Sequence, residues 1–304
     1  MSLIETGGLS LWFDAFPSQG TDSNALPVLL IQGLGMQATE WPDPLIDGIA
    51  ATRRAIVFDN RDAGLSSLCG PASDPALRPE DFPGWHELPQ PPAYDLAAMA
   101  ADALALLDAC AIPRAHLIGY SMGGMIAQIL AVQAPDRVAS IVGLMTSAGQ
   151  PWLAMQENAE AHMRRSIVHA PDPEQQIRQM LAAETAYAGN LPLPDIHLRR
   201  AAAIASLERA YRPAGIWRQA CAMRAGGDRQ SILHCMTAPY LGIHGARDPV
   251  ISLSQAMAIT EFIPNARLHV LPEAGHLPTD ELARAVMPMI VTFWAAAEAV
   301  VIGV

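Results

Sequence analysis

Apolar positions along the chain follow two periods in turn, short runs of strand length and longer stretches with apolar residues every three to four positions. Leu9–Phe16 alternates apolar and polar residues and predicts an edge strand. Pro27–Ile31 is continuously apolar and predicts a strand buried on both faces. Asp43-Pro44 places a capping residue before a proline at the first helical position, opening a helix to about Ala51. Arg54–Asp59 predicts the next strand, Tyr94–Ala111 a helix, and Arg114–Tyr120 a strand that runs into the helical pattern of Met125–Val132. Beyond it Val138–Leu144, Pro239–His244 and Ala266–Leu271 predict strands, with helices over Ser252–Phe262 and from Thr279 to about Ala297. Strand and helix in alternation predict an α/β fold, with a mostly parallel central sheet covered by helices on both faces.

Two stretches break the alternation. Pro71–Pro92 is proline-rich without a period and predicts a long surface loop. Residues 150–237 are helical in character and contain no strand pattern, which predicts a helical lid inserted in a core formed by residues 1–149 and 238–304. Charge marks the same division, with ten arginines against eight acids in the insertion and nine against twenty-two in the remainder. From Val286 to Val304 the chain is nearly all apolar, but Pro288 and Glu298 interrupt it and polar Asp280, Glu281 and Arg284 precede it. A buried terminal helix is therefore expected there rather than a membrane anchor.

Composition narrows the chemistry. A net charge of −11 disfavours nucleic acid and anionic membrane surfaces as partners. All nineteen basic residues are arginine, which excludes Schiff-base lysine chemistry and a P-loop lysine. Cys69, Cys110, Cys221 and Cys235 show no metal or redox spacing and read as free thiols of a reducing compartment. The first residues, MSLIETGGLS, have neither a basic leader nor a long apolar core, so a cytoplasmic protein is expected.

The candidate chemistry lies at strand ends. Gly119-Tyr120-Ser121-Met122-Gly123 is a tight turn between strand and helix, with Ser121 at its apex. A serine hydroxyl needs a base to take its proton, and the base needs an oriented ring. His244-Gly-Ala-Arg-Asp248-Pro-Val follows the penultimate strand and Glu273-Ala-Gly-His276 the last, so Ser121, Asp248 and His276 each fall just past a carboxyl strand end. That edge is where open α/β sheets bind ligands. The strand over Val138–Leu144 ends in Met-Thr-Ser-Ala-Gly and offers no rival carboxylate, while His244, Asp59 and Arg61 read as structural.

With these residues the chain resembles the α/β-hydrolase superfamily, most closely its aclacinomycin methylesterase and carboxylesterase branch. The resemblance rests on Gln32-Gly-Leu-Gly35 at the oxyanion loop, Asp59-Asn-Arg-Asp-Ala-Gly-Leu-Ser66, GYSMG, HGARDPV and EAGH. Gln32 stands where most relatives have histidine, and Asp62 where they have glycine. The resemblance implies a serine hydrolase with Ser121 as nucleophile, His276 as base and Asp248 as its orienting acid. Backbone N–H groups of Leu34 and Met122 would hold the oxyanion. No cofactor or metal is expected, since neither H-E-x-x-H nor G-x-G-x-x-G occurs. The expected partner is a small-molecule ester, neutral and apolar or aromatic. Lactone or C–C hydrolysis, acyl transfer, ligand binding without catalysis and self-association stay open. Trp152, Met155, Met163, Met180, Tyr187, Trp217 and Met223 are candidates for lining a pocket over the serine.

Overall fold

A computed structural model of the chain describes residues 2–22, 24–73, 87–88, 90–149, 155–167 and 172–302. Much of the Pro71–Pro92 loop, as well as Trp152, therefore lies outside the described residues. Eight strands form one sheet in the order β1-β2-β4-β3-β5-β6-β7-β8. They are β1 (Ser2–Thr6), β2 (Leu9–Phe16), β3 (Val28–Ile31), β4 (Ala55–Phe58), β5 (Ala115–Tyr120), β6 (Val138–Leu144), β7 (Tyr240–Gly245) and β8 (Arg267–Leu271). From β4 to β8 neighbouring strands are parallel; β2 runs antiparallel to both β1 and β4.

Leu9–Phe16 is thus not the edge strand. Ser2–Thr6 pairs outside it through a two-residue turn at Gly7 and Gly8, whose φ values of 54° and 83° suit the tight hairpins that need φ above zero. The added strand is only five residues long and carries Leu3 largely exposed, so it lacks the apolar run that marks the inner strands.

The inner strands bury alternate residues on opposite faces. Leu29 and Ile31 of β3, with Ile56 and Phe58 of β4, pack against α2 (Leu96–Ala109) and α3 (Met122–Gln133). Val28, Leu30 and Val57 point to the other face, under α1 (Asp43–Ala50) and α10 (Asp280–Ile302). Helix α1 begins one residue earlier than expected, with Pro42 in the capping position and Asp43 already helical. Helix α2 has a side-chain cap, Asp95 accepting from the Ala98 N–H at 2.8 Å.

Between β6 and β7 lie α4 (Glu157–Ser166), α5 (Pro173–Tyr187), α6 (Ile196–Arg209), α7 (Pro213–Ala225) and α8 (Gln230–Leu233), and α9 (Leu253–Phe262) then joins β7 to β8. Helix α10 is the one described helix long and apolar enough to cross a membrane. It buries Leu282, Val286, Ile290 and Trp294, four residues apart, on one stripe against the sheet.

The far end of α10 is locked to the sheet by charge. Glu298 receives both outer nitrogens of Arg53 at 2.6 and 3.0 Å, and His116 of β5 bridges Glu298 at 3.1 Å and Ser140 of β6 at 2.7 Å. The Trp294 ring lies against His116 and under the Arg53 guanidinium. Burial drives the His116 pKa down to about 4 from 6.5, against the raising effect of Glu298. Between those two values the unfolded chain binds a proton that the native state refuses, so stability falls as pH drops through this window. The loss should reach about 3 kcal/mol by pH 4. Urea unfolding from pH 7 to pH 4 checks it: His116→Gln should flatten the slope, and parallel curves for the two proteins would refute it.

Candidate active site

Strand β5 is buried along its whole length and delivers Ser121 at φ 52°, ψ −117°, with α3 starting at the next residue. A non-glycine residue in that region costs about 1 to 3 kcal/mol and persists only where neighbours enforce it. Here the Ser121 N–H donates to the Leu144 carbonyl at 2.9 Å, and the Ser121 carbonyl accepts from Thr146 Oγ1 at 2.8 Å. Glycine at 119 and 123 is a steric condition of the turn. A Cβ on Gly123 would strike the Ile31 carbonyl, and one on Gly119 would come within 2.5 Å of the Gly123 carbonyl.

The other two residues converge on this apex from β7 and β8. Asp248 Oδ1 accepts the N–H groups of Val250 and Ile251, each at 2.8 Å, leaving Oδ2 aimed at His276 Nδ1 at 2.7 Å. Through its other ring nitrogen, His276 Nε2, the histidine lies 3.1 Å from Ser121 Oγ. With the Nδ1 proton shared with Asp248, Nε2 is free to accept the serine proton. All three residues are nearly closed off, at 7% exposure for Ser121, 6% for Asp248 and 4% for His276. His244 sits beneath them, its Nε2 donating to the Ile251 carbonyl at 2.9 Å; its 3.5 Å approach to Asp248 is the weaker contact. Burial lowers the His244 pKa, which keeps the ring neutral under the acid.

The oxyanion loop packs directly on the serine, since a Cβ at Gly33 would lie 3.3 Å from Ser121 Cβ. Neither the Leu34 N–H nor the Met122 N–H, the latter in the first turn of α3, has an acceptor among the described residues. Both expected donors are thus unspent. Gln32, fully buried, has no partner for either amide atom among the described residues. The loop is held instead by Gln219 of α7, whose Oε1 accepts the Gly35 N–H at 2.8 Å and whose Nε2 donates to the Arg61 carbonyl at 2.8 Å. Asp62 occupies a left-handed position at φ 68°, and its carboxylate takes Arg218 of α7. Asp59 accepts the Ala38 and Leu65 N–H groups, and Arg61 forks to Asp102, so both pin loops as expected.

Several functional contacts gave no signal in the sequence. The end of α5 is tied to the His276 loop: the Tyr187 carbonyl accepts the His276 N–H at 2.6 Å, and Gly189 bridges Ala274. Tyr120 donates its hydroxyl to the His276 carbonyl at 2.8 Å. Of the apolar residues expected to line a pocket, Met155, Met163, Tyr187 and Trp217 pack against the core and Met223 is buried within it. Met180 borders a cavity beside the oxyanion loop. Among the described residues no cluster of three or more His, Cys, Asp or Glu suits a metal ion, and all four cysteines are free.

The chain is 30% identical to rhodomycin D methylesterase of Streptomyces peucetius over 180 residues, which is 59% of the chain and about half, 53%, of that relative's length. Its likeness to the rhodomycin D methylesterase of Streptomyces sp. strain C5 is 26% and covers 91% of the chain and 94% of the relative. A solved hydrolase of Pseudomonas aeruginosa PA01 superposes with a TM-score of 0.70 at 27% identity, over 96% of this chain and 97% of that one. The profile of the alpha/beta hydrolase fold matches residues 27–281, most of the chain's length, and the protein belongs to that family.

Proposed function

We propose that this protein is a serine esterase acting through an acyl-enzyme, with Ser121 as nucleophile, His276 as base and Asp248 as the acid that orients it. The observation that carries the reading is the chain of contacts from Asp248 through His276 to Ser121 Oγ at 2.7 and 3.1 Å. As Ser121 Oγ bonds to the ester carbonyl carbon, its proton passes to His276 Nε2. The carbonyl oxygen becomes an anion held by the Leu34 and Met122 N–H groups. Collapse breaks the bond to the alkoxy group, which leaves as the alcohol with the proton from Nε2. Water then attacks the acyl carbon while giving its proton to Nε2; the Ser121 ester breaks, Oγ recovers that proton, and the carboxylic acid departs. Relatives named as methylesterases support an ester over other carbonyl substrates. A fluorophosphonate tests the reading directly: it should label wild type stoichiometrically at Ser121, and labelling elsewhere or none would reject the nucleophile.

The α4–α8 helices form the lid of this site. Its arginines are largely spent: Arg164, Arg178, Arg199, Arg200, Arg209 and Arg218 each reach a carboxylate. A substrate carboxylate would therefore meet a −11 protein with few free cations. Neutral esters with apolar or aromatic groups should be preferred over isosteric esters bearing a free carboxylate by at least about a hundredfold in kcat/KM. Steady-state rates on such a pair at several salt concentrations decide it. Faster turnover of the anionic member, weakened by salt, would reverse the assignment.

A further inference from the structure

Past the oxyanion loop, between it and the lid, lies a cavity of about 170 Å³ whose wall begins at Leu34 and Gly35. Leu34, the expected oxyanion donor, directly follows the glycine that packs on Ser121 and also lines this cavity, which places the cavity on the far side of the oxyanion loop from the serine turn. Three polar side chains on the wall decide what it takes. Arg212 donates to the Ser66 carbonyl at 3.2 Å and reaches no carboxylate among the described residues. Gln176 is 4% exposed; its Oε1 accepts the Tyr211 hydroxyl at 2.9 Å, while its Nε2 has no acceptor among the described residues. Glu40 accepts from Ser206 Oγ at 2.7 Å and from the Gln37 N–H at 2.9 Å, without a cation of its own.

The charges around the cavity close in pairs. Arg209 holds Asp59 and Arg218 holds Asp62. Arg212 and Glu40 remain on the same wall, where burial raises the Glu40 pKa and favours its uncharged form. A cation would meet Arg212 with only a buried carboxyl of raised pKa to offset it, and an anion would gain Arg212 but enter the field of Asp59 and Asp62 that already acts on that guanidinium. An uncharged oxygen suffers neither penalty and uses the two unspent donors. A purely apolar group would leave the Gln176 amide and part of the Arg212 guanidinium unpaired against it, which the site would reject.

We propose, on the esterase reading above, that this cavity receives a carbonyl or hydroxyl oxygen carried by an otherwise uncharged ester substrate, with Arg212 and Gln176 donating to it. The substrate class is thus an oxygenated neutral ester rather than a plain hydrocarbon one. Burial lowers the Arg212 pKa while Asp59 and Asp62 oppose that shift, and a guanidinium in this position donates a charge-assisted hydrogen bond.

The test compares methyl esters of the positional isomers of 9-oxofluorene carboxylic acid with the matching fluorene esters, which carry a methylene in place of the ketone. For at least one isomer the ketone should be hydrolysed about 10- to 100-fold faster in kcat/KM by wild type. In Arg212→Met and in Gln176→Leu that ratio should fall to within about threefold of unity. Where Arg212→Met fails to fold, the Gln176→Leu ratio and the wild-type ratio still decide. Hydrolysis of both series with no isomer favouring the ketone overturns the subsite and leaves the esterase standing. A ketone preference that survives in both variants overturns the two residues. Faster turnover of an analogue with a carboxylate in place of the ketone oxygen overturns the uncharged class. Hydrolysis of no ester at all overturns the esterase reading and the subsite with it.

Discussion

Ser121→Ala should lower kcat/KM for ester hydrolysis by about 10⁴ to 10⁶ while leaving the fold intact. The separation of effects follows from what the residue bonds. Its structural contacts are main-chain ones, the N–H to Leu144 and the carbonyl to Thr146 and Gly124, and alanine keeps all of them. Its side chain has a single hydrogen-bond partner among the described residues, His276 Nε2. Alanine is also as small as serine at a position with φ 52°, so the strain of the turn is neither relieved nor increased. Unfolding midpoints should therefore shift by less than about 1 kcal/mol equivalent, and covalent labelling by a fluorophosphonate should vanish. Hydrolysis within about tenfold of wild type would mean that the apex serine is not the nucleophile.

The serine turn and its partners were legible because each rests on local chemistry. Gly119 and Gly123 mark the turn by their spacing, and Asp248 and His276 fall just past strands whose apolar runs are unmistakable. The buried parallel strands show for the same reason, since a strand covered on both faces must be apolar throughout. What escaped depends on pairings distant in sequence. Gln219 holds Gly35 from 184 positions away, and the Arg209 guanidinium reaches Asp59 across 150. Nothing in the local pattern distinguishes those polar residues from solvated ones. The aromatic and thioether residues of the lid carried two readings, part of a pocket lining or anchors of the lid, and Met155, Met163, Tyr187, Trp217 and Met223 pack on or in the core as anchors do. Ser2–Thr6 escaped because a short half-exposed strand carries little apolar signal.

His276 and His244 lie on the same acid, and substituting each in turn separates a base from a support. His276→Gln should lose about 10⁴-fold or more in kcat/KM, since glutamine cannot take the serine proton, and the acid limb of the pH profile should disappear with the activity. His244→Gln should cost no more than about tenfold and should keep that limb. The geometry explains the asymmetry. His276 places one nitrogen on Asp248 and the other on Ser121 Oγ, so it can carry a proton between substrate and serine while the carboxylate stabilises the resulting cation. His244 spends Nε2 on the Ile251 carbonyl, and its Nδ1 is buried with no partner among the described residues, so it has no path to the serine. Its ring is held neutral by burial and contributes packing and orientation under Asp248 instead. A side-chain amide at position 244 can still donate to Ile251, which keeps the Asp248 turn in place. Stopped-flow or steady-state profiles between pH 5 and 9 on both variants check the assignment. If His244→Gln removed the acid limb and His276→Gln retained it, the proton would travel through the lower histidine and the contact at 3.1 Å would be incidental.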